Sequence, residues 1–237
     1  MSQSDPQLQA IASNLSGLSA LIRNAVSQRQ QAHTDLTLIA VSKKQSTAAI
    51  EAAILAGQRV FGENYVQEGV AKILALKPQY PELSWHMIGP VQSNKTSLVA
   101  AHFDWVHTID NIKTAQRLSA QRPAGLAPLQ CLIQVNIDDE ASKSGVLATG
   151  LPTLMADMAN LPKVQLRGLM CIPSKDSNDA FARMHQLLAE MNQGFMLPNA
   201  RVLDCLSMGM SADFEAAIAQ GATHIRLGTA IFGTRAG

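Results

Sequence analysis

The sequence predicts a closed eight-stranded β/α barrel, an α/β fold of the (β/α)8 TIM-barrel class, with one helix added at its N-terminal end. Three observations carry that expectation. Eight short apolar runs alternate with helical segments along most of the chain, a pattern that builds a parallel sheet covered by helices. The turn after the first run is Ser42-Lys43-Lys44-Gln45, without the glycines that an open doubly wound sheet usually places there to hold a phosphate. The chain has 237 residues, about the length one such barrel needs.

The elements follow in order. Asp5 and Pro6 suit a helix N-cap and first turn. Leu8, Ile11, Leu15, Leu18, Ile22 and Val26 then recur at spacings of three and four, one apolar stripe of a helix. The apolar runs read as strands at Thr37–Lys43, Arg59–Tyr65, Ser84–Gly89, Trp105–Asp110, Leu129–Asp138, Gln165–Ile172, Val202–Met208 and His224–Gly228. Helices are expected at 46–57, 66–77, 93–101, 111–121, 151–160, 178–194 and 212–220. Gly57, Gly194, Gly221 and Pro162 mark helix ends. No linker or repeat divides the chain, so residues 1–237 are expected to form a single domain, with 1–5 disordered.

Composition narrows the partners. Hydrophobic residues make up 47% and charged residues 16%, the balance of a chain that buries a core rather than staying disordered. A net charge of +1 offers nothing to attract nucleic acid or an anionic membrane. A small ligand and a monomer are expected. Cys131, Cys171 and Cys205 are far apart and lie within apolar runs, which suits buried thiols rather than metal ligands. Free thiols, the lack of an apolar leader at the N-terminus and the lack of a membrane-length apolar run fit a cytoplasmic protein.

Barrels of this class place their chemistry at the C-terminal ends of the strands. Those ends are Lys43, Asn64, Gly89, Asp110, Asn136, Ile172, Ser207 and Gly228. Ile39, Val41 and Lys43 share one face of the first strand, and composition leaves open whether that face points inward. The fifth strand divides more clearly: Leu129, Cys131, Ile133, Val135 and Ile137 suit the helix side, leaving Gln130, Gln134, Asn136 and Asp138 inside. In the eighth, Ile225 and Leu227 face the helices and Arg226 points inward with His224.

A desolvated lysine has a lowered pKa and attacks carbonyls. The competing reading leaves Lys43 as a loop residue beside Lys44. The loops after strands seven and eight, with Gly209, Ser211, Gly228 and Thr229, lie where such barrels often hold phosphate. Ser211 also reads as a simple N-cap. Together these features ask for a ligand with an aldehyde and a phosphate. Pyridoxal 5'-phosphate (PLP) fits, as does a sugar phosphate in a lysine-dependent aldolase. Arg226 would favour PLP, because a guanidinium beside a pyridine nitrogen keeps that nitrogen unprotonated, and the competing reading makes it a structural ion-pair partner.

Longer motifs carry a resemblance. Leu38-Ile-Ala-Val-Ser-Lys43, Phe61-Gly-Glu-Asn-Tyr-Val-Gln-Glu68, Trp85-His-Met-Ile-Gly-Pro-Val-Gln-Ser-Asn-Lys95, Gly168-Leu-Met-Cys-Ile-Pro173, Leu206-Ser-Met-Gly-Met-Ser211 and Ile225-Arg-Leu-Gly-Thr-Ala-Ile-Phe-Gly233 resemble the pyridoxal phosphate homeostasis family (the YggS/PROSC group), in its order. The match runs from about residue 37 to residue 233. Two small departures are Lys44-Gln45-Ser46, in place of a more usual Thr-Lys-Pro, and Val91 in place of Leu. The resemblance implies a fold similar to the N-terminal domain of alanine racemase, with PLP as a Schiff base on Lys43. It places Ser211, Gly228 and Thr229 at the phosphate, Arg226 at the pyridine nitrogen and Asn64 beside the ring. It also implies a role in vitamin B6 balance without established catalysis, with PLP-dependent apo-enzymes as recipients.

A racemase-type enzyme is the alternative. Two-base racemisation needs a proton donor on each face of the substrate adduct. Alanine racemase draws its second donor, a tyrosine, from a β-rich domain that the chain, ending at Gly237, is expected to lack. The only tyrosines are Tyr65 and Tyr80. Among lesser candidates, His86 reads as a structural group, Met170, Met208 and Met210 as packing near the cofactor, Glu63 and Glu68 as support for the second strand, and Lys143 as a solvated loop lysine.

Overall fold

The computed structural model describes residues 6–29, 35–194 and 202–233. Within them, parallel strands close a barrel in chain order. They are β1 (Thr37–Val41), β2 (Val60–Glu63), β3 (Ser84–Met87), β4 (Trp105–Ile109), β5 (Leu129–Gln134), β6 (Val164–Met170), β7 (Cys205–Ser207) and β8 (His224–Leu227). Closure runs from Thr37 opposite His224 to Ala40 opposite Leu227. Helices α2 (Thr47–Leu55), α3 (Val66–Leu76), α4 (Thr96–His102), α5 (Ile112–Gln121), α6 (Leu151–Ala159), α7 (Ala180–Gly194), α8 (Phe214–Ala219) and α9 (Thr229–Phe232) each follow one strand, and α1 (Pro6–Ser27) precedes β1.

The apolar stripe of α1 does what its spacing predicts. Ile11, Leu15 and Leu18 are buried, and Leu8, Ile22 and Val26 pack against the core. Burying each of the first three stabilises by about 1.5–3 kcal/mol. The helix packs on α2, α8 and α9, so it covers the seam where β8 meets β1. Asn14 Nδ2 fixes it there by donating to the Ile231 carbonyl at 2.9 Å. The expected cap, Asp5, and the expected disorder of 1–5 lie outside the described residues. Ser46 and Asn111 cap α2 and α5, their side chains accepting from Ala49 N–H and Thr114 N–H.

The strands are shorter than the apolar runs suggest. Lys43, Asn64, Gly89 and Asp110 stand beyond the ladders as mouth loops, where their side chains are released from strand alternation. The four-residue helix α9 was not legible as a separate element, because Gly228-Thr229 reads as a strand end. Strand alternation holds as far as Gln134, where β5 ends; Asp138, expected inside the barrel, instead accepts from Ser174, Ser177 and Arg183 of the β6–α7 segment and α7. Leu129, Cys131 and Ile133 join the outer core, while Leu132 forms an inner cluster with Met170 and Cys205 against Trp105. Among the described residues no helix is long and apolar enough to cross a membrane.

Candidate functional site

A cavity of about 390 Å3 opens at the C-terminal mouth, and Lys43, Asn64, Ser211, Arg226, Gly228 and Thr229 all line it. The six residues singled out from the sequence therefore meet in one place, drawn from the ends of β1, β2, β7 and β8. Val41 lines the same cavity, so the Val41–Lys43 face of β1 points inward.

Lys43 is half-buried on a turn in which Gln45 N–H donates to the Ser42 carbonyl at 3.0 Å. Lys44, at the third position, has φ +60°, a conformation turns usually give to Gly or Asn. The neighbouring β2–α3 segment holds this strained turn. Lys72, 6% exposed, donates to the Ser42 carbonyl at 2.6 Å, to Glu63 Oε1 at 2.8 Å and to Glu68 Oε1 at 2.6 Å. Ser42 Oγ donates to Glu63 Oε1 at 2.6 Å, and Lys44 N–H donates to Glu68 Oε1. Burial pushes the Glu63 carboxyl up, against the hydrogen bonds from Lys72 and Ser42. The sequence reading missed Lys72 entirely. Its signal was the spacing Glu68-x-x-x-Lys72 on one helix face, with Lys72 among apolar residues.

The opposite wall is built from turns. Gly209 has φ +93°, and a Cβ there would stand 2.6 Å from the Ala217 methyl. That glycine lets the Met210–Ala212 turn pass over α8 into the cavity rim. Ser211 is exposed on this turn and does not cap the helix. The N-cap is Asp213, whose Oδ1 accepts from Met210 N–H at 2.6 Å. The capping expectation for Ser211 is thus corrected, which leaves its hydroxyl available at the cavity.

Arg226, on β8, is 5% exposed and floors the cavity. Its Nη1 donates to Ser207 Oγ at 2.7 Å and its Nη2 to the Cys171 carbonyl at 2.9 Å. Asn64 Oδ1 is buried and makes no hydrogen bond among the described residues. A buried acceptor left unsatisfied costs about 1–3 kcal/mol, which a ligand donor would relieve.

A second compartment of about 310 Å3 adjoins the first through Asn64, Ile88 and Ile172, with Asp110, Gln134 and Lys143 around it. Lys143 is therefore no solvated loop lysine. Its Nζ is buried and lies 3.5 Å from Glu140 Oε1 and 4.0 Å from Asp138 Oδ2. The three cysteines are buried thiols as expected, each pushed up to about 12 by burial.

The family model for the N-terminal domain of alanine racemase matches residues 17–236. The pyridoxal phosphate homeostasis protein of Pseudomonas aeruginosa is 48% identical over 233 residues, covering 96% of this chain and 97% of that one. Its namesake in Escherichia coli K12 is 50% identical over 228 residues, with 95% and 97% covered. PipY of Synechococcus elongatus PCC7942, solved with PLP bound, is 37% identical with a TM-score of 0.79, over 94% of this chain and all of that one (100%). Alanine racemase from Corynebacterium glutamicum shares only the fold, at 14% identity and a TM-score of 0.67 over 97% of this chain and 62% of that one.

Proposed function

From the premise that the chain belongs to the alanine racemase N-terminal domain family and, within it, to the pyridoxal phosphate homeostasis proteins, we propose that it holds PLP as a Schiff base on Lys43 and serves vitamin B6 balance in the cytoplasm. The observation that carries this reading is the meeting of Lys43, Ser211, Thr229, Arg226 and the unsatisfied Asn64 Oδ1 around one cavity. A volume of about 390 Å3 suits a ligand of that size.

When bound, PLP supplies an aldehyde, a phosphate and a pyridine ring able to act as an electron sink. The protein's part is orientation. The Glu63–Lys72–Glu68 cluster fixes the backbone of Ser42 and Lys44, so the Lys43 amine is presented from a rigid turn. The Ser211 and Thr229 hydroxyls and the turns that carry them would receive the phosphate. Arg226, which can only donate, would meet the ring nitrogen as an acceptor and keep it unprotonated. That arrangement weakens the ring as an electron sink and favours holding the cofactor over using it.

Tyr65 is half-exposed at a neighbouring part of the rim, and neither tyrosine lines the 390 Å3 cavity. That placement favours a carrier over a racemase-type enzyme, and under the same proposal the carrier is a monomer whose recipients are PLP-dependent apo-enzymes.

Borohydride reduction of the PLP-loaded protein, followed by peptide mapping, tests the assignment. The adduct is expected on Lys43, and Lys43→Ala should lose the yellow colour. A full adduct elsewhere in that variant would overturn the Lys43 assignment. Lys43-dependent deuterium exchange at the α-carbon of amino acids, above the rate with free PLP, would overturn the carrier assignment.

A further inference from the structure

A buried cation sits under the site with no carboxylate at ion-pair distance among the described residues; Asp213 attracts it only from farther off. Arg226 is 5% exposed, and among the described residues it takes part in no ion pair. Burying an unpaired charge is costly, so something else must compensate for the lost hydration. The Cys171 carbonyl supplies one acceptor. The other bond leads into a feature the function described so far does not use.

Three histidines fill the barrel interior below the cavity. His86, His107 and His224 come from β3, β4 and β8 and are 2%, 0% and 7% exposed. Their ring centroids lie 5.1–6.1 Å apart, with Trp105 stacked on His86 at 5.2 Å. Burial, then mutual repulsion, holds His86 and His107 well below the usual histidine range, and burial pushes His224 down to about 4. All three are neutral near pH 7. A neutral imidazole donates through one nitrogen and accepts through the other.

Two of them form a continuous chain with Arg226. Arg226 Nη1 donates to Ser207 Oγ at 2.7 Å, Ser207 Oγ lies 2.9 Å from His107 Nδ1, His107 Nε2 lies 2.9 Å from His86 Nδ1, and His86 Nε2 lies 3.1 Å from Ser84 Oγ. The direction of every bond follows from the first. A guanidinium cannot accept, so Ser207 Oγ accepts there. Among the described residues, the acceptor within reach of the Ser207 hydroxyl hydrogen is His107 Nδ1. Reversing that bond would strand the hydrogen in a buried place without an acceptor. His107 therefore carries its hydrogen on Nε2 and donates to His86. His86 in turn donates from Nε2 to Ser84, which is half-buried at the far end of β3.

We propose that Ser207, His107 and His86 are positioning residues for Arg226: a one-directional column of dipoles, with its acceptor end at the guanidinium, that stabilises the cation and aims its remaining N–H groups at the cofactor ring. Each link polarises the next, so the column acts more strongly than its first bond alone. The inference rests on the PLP reading for what lies above Arg226, but the polarity of the column is a property of the protein by itself.

Nitrogen NMR of histidine-labelled, PLP-free protein reads that polarity directly. Hydrogen on Nε2 and a bare Nδ1 are expected at both His86 and His107. Hydrogen on His107 Nδ1 would overturn the proposal. PLP titration of three variants supplies the second arm. Ser207→Ala and His107→Leu should each weaken PLP binding about tenfold, the value of one charge-assisted hydrogen bond, and should shift the absorption band of the bound cofactor. His107→Asn keeps an acceptor where Nδ1 stands and should restore both towards wild type. Wild-type affinity and spectrum in all three variants would sink the proposal, whereas a wild-type protein that takes up no PLP would sink the cofactor reading and leave the NMR result to decide the column.

Discussion

The wall of the cavity that carries Lys43 is braced by buried ions, whereas the wall that carries Ser211 and Thr229 is shaped by turns and close approaches. On the first, Glu63 is fully buried and Lys72 is 6% exposed, and Lys72, paired with Glu63 at 2.8 Å, ties the Lys43 turn to α3 by donating to the Ser42 carbonyl. On the second, Gly209 lets the backbone pass within reach of Ala217, and Ser211 and Thr229 stand exposed at the rim. The difference is one of demand. An amine that must point one way needs a rigid turn, and strained backbone such as Lys44 at φ +60° persists only where its surroundings over-determine it. An anion site needs space and hydrogen-bond donors, which small residues and backbone provide. The lysine wall should therefore fail when charge is removed, and the anion wall when volume is added.

The largest expected effect breaks the ionic brace. Lys72→Met leaves Glu63 buried without its cation and should destabilise the fold by about 3–5 kcal/mol in a urea titration. Adding Glu63→Gln should recover part of that loss, because the orphaned charge goes with it. A Lys72→Met variant within about 0.5 kcal/mol of wild type would mean that the turn is not held by ions.

Acid should act on the two walls with opposite sign. The anion wall stands on Arg226 and the histidines beneath it, whose folded-state pKa values lie below 6.5. The unfolded chain then binds more protons than the folded one as pH falls below about 6.5, so stability drops. His224 alone, lowered from 6.5 to about 4, should contribute on the order of 3 kcal/mol of loss once pH passes about 4. Glu63 works the other way. Its pKa is raised in the folded state, so falling pH between that value and 4.5 favours folding. Burial raises Asp104 like Glu63 and lowers His102 like the three buried histidines. Four histidines thus stand against two carboxyls, and thermal unfolding from about pH 7 to pH 5 should show a falling midpoint. A flat profile would contradict the neutral state of the histidines.

Much of this was legible in the sequence because strand alternation in a closed barrel is a strict code. It placed Arg226 and His224 inside from two flanking apolar residues, Ile225 and Leu227. It named Lys43, Asn64 and Gly228 as strand ends, while Ser211 and Thr229 came from the loops after strands seven and eight and the place of Asn64 beside a cofactor ring came from the family resemblance. What it did not give depends on contacts between elements. Lys72 sits in an apolar helical stretch, and only the approach of α3 to β1 makes it the hub of the brace. The histidine column joins β3, β4, β7 and β8 across 100 residues between His107 and Ser207, a separation no local pattern encodes. Lys143 looked solvated because its loop is polar, yet that loop folds over the second compartment.

Volume added to the anion wall should cost less than charge removed from the lysine wall. Gly209→Ala forces a side chain into φ +93° and sets its Cβ 2.6 Å from Ala217, so it should destabilise by about 1–3 kcal/mol and weaken PLP binding. Gly57→Ala is the matched control, because φ is +98° and nothing lies within 4 Å of its Cβ. It should cost only the backbone term, about 1 kcal/mol, with PLP binding unchanged. Equal effects at the two positions would remove the steric argument for Gly209.

The smallest effect separates binding from folding at one residue. If Ser211 were the cap of α8, Ser211→Ala would cost about 0.5–2 kcal/mol of stability. The cap is Asp213, and Ser211 is exposed, so stability should stay within about 0.5 kcal/mol of wild type. The hydroxyl is instead assigned to the phosphate, where its loss should weaken PLP binding by roughly three- to tenfold, one ordinary hydrogen bond. Pyridoxal, which lacks the phosphate, should bind wild type and variant alike. A variant that melts early but binds PLP normally would return Ser211 to a purely structural role. The anion wall would then have to rest on Thr229 and the turn backbone.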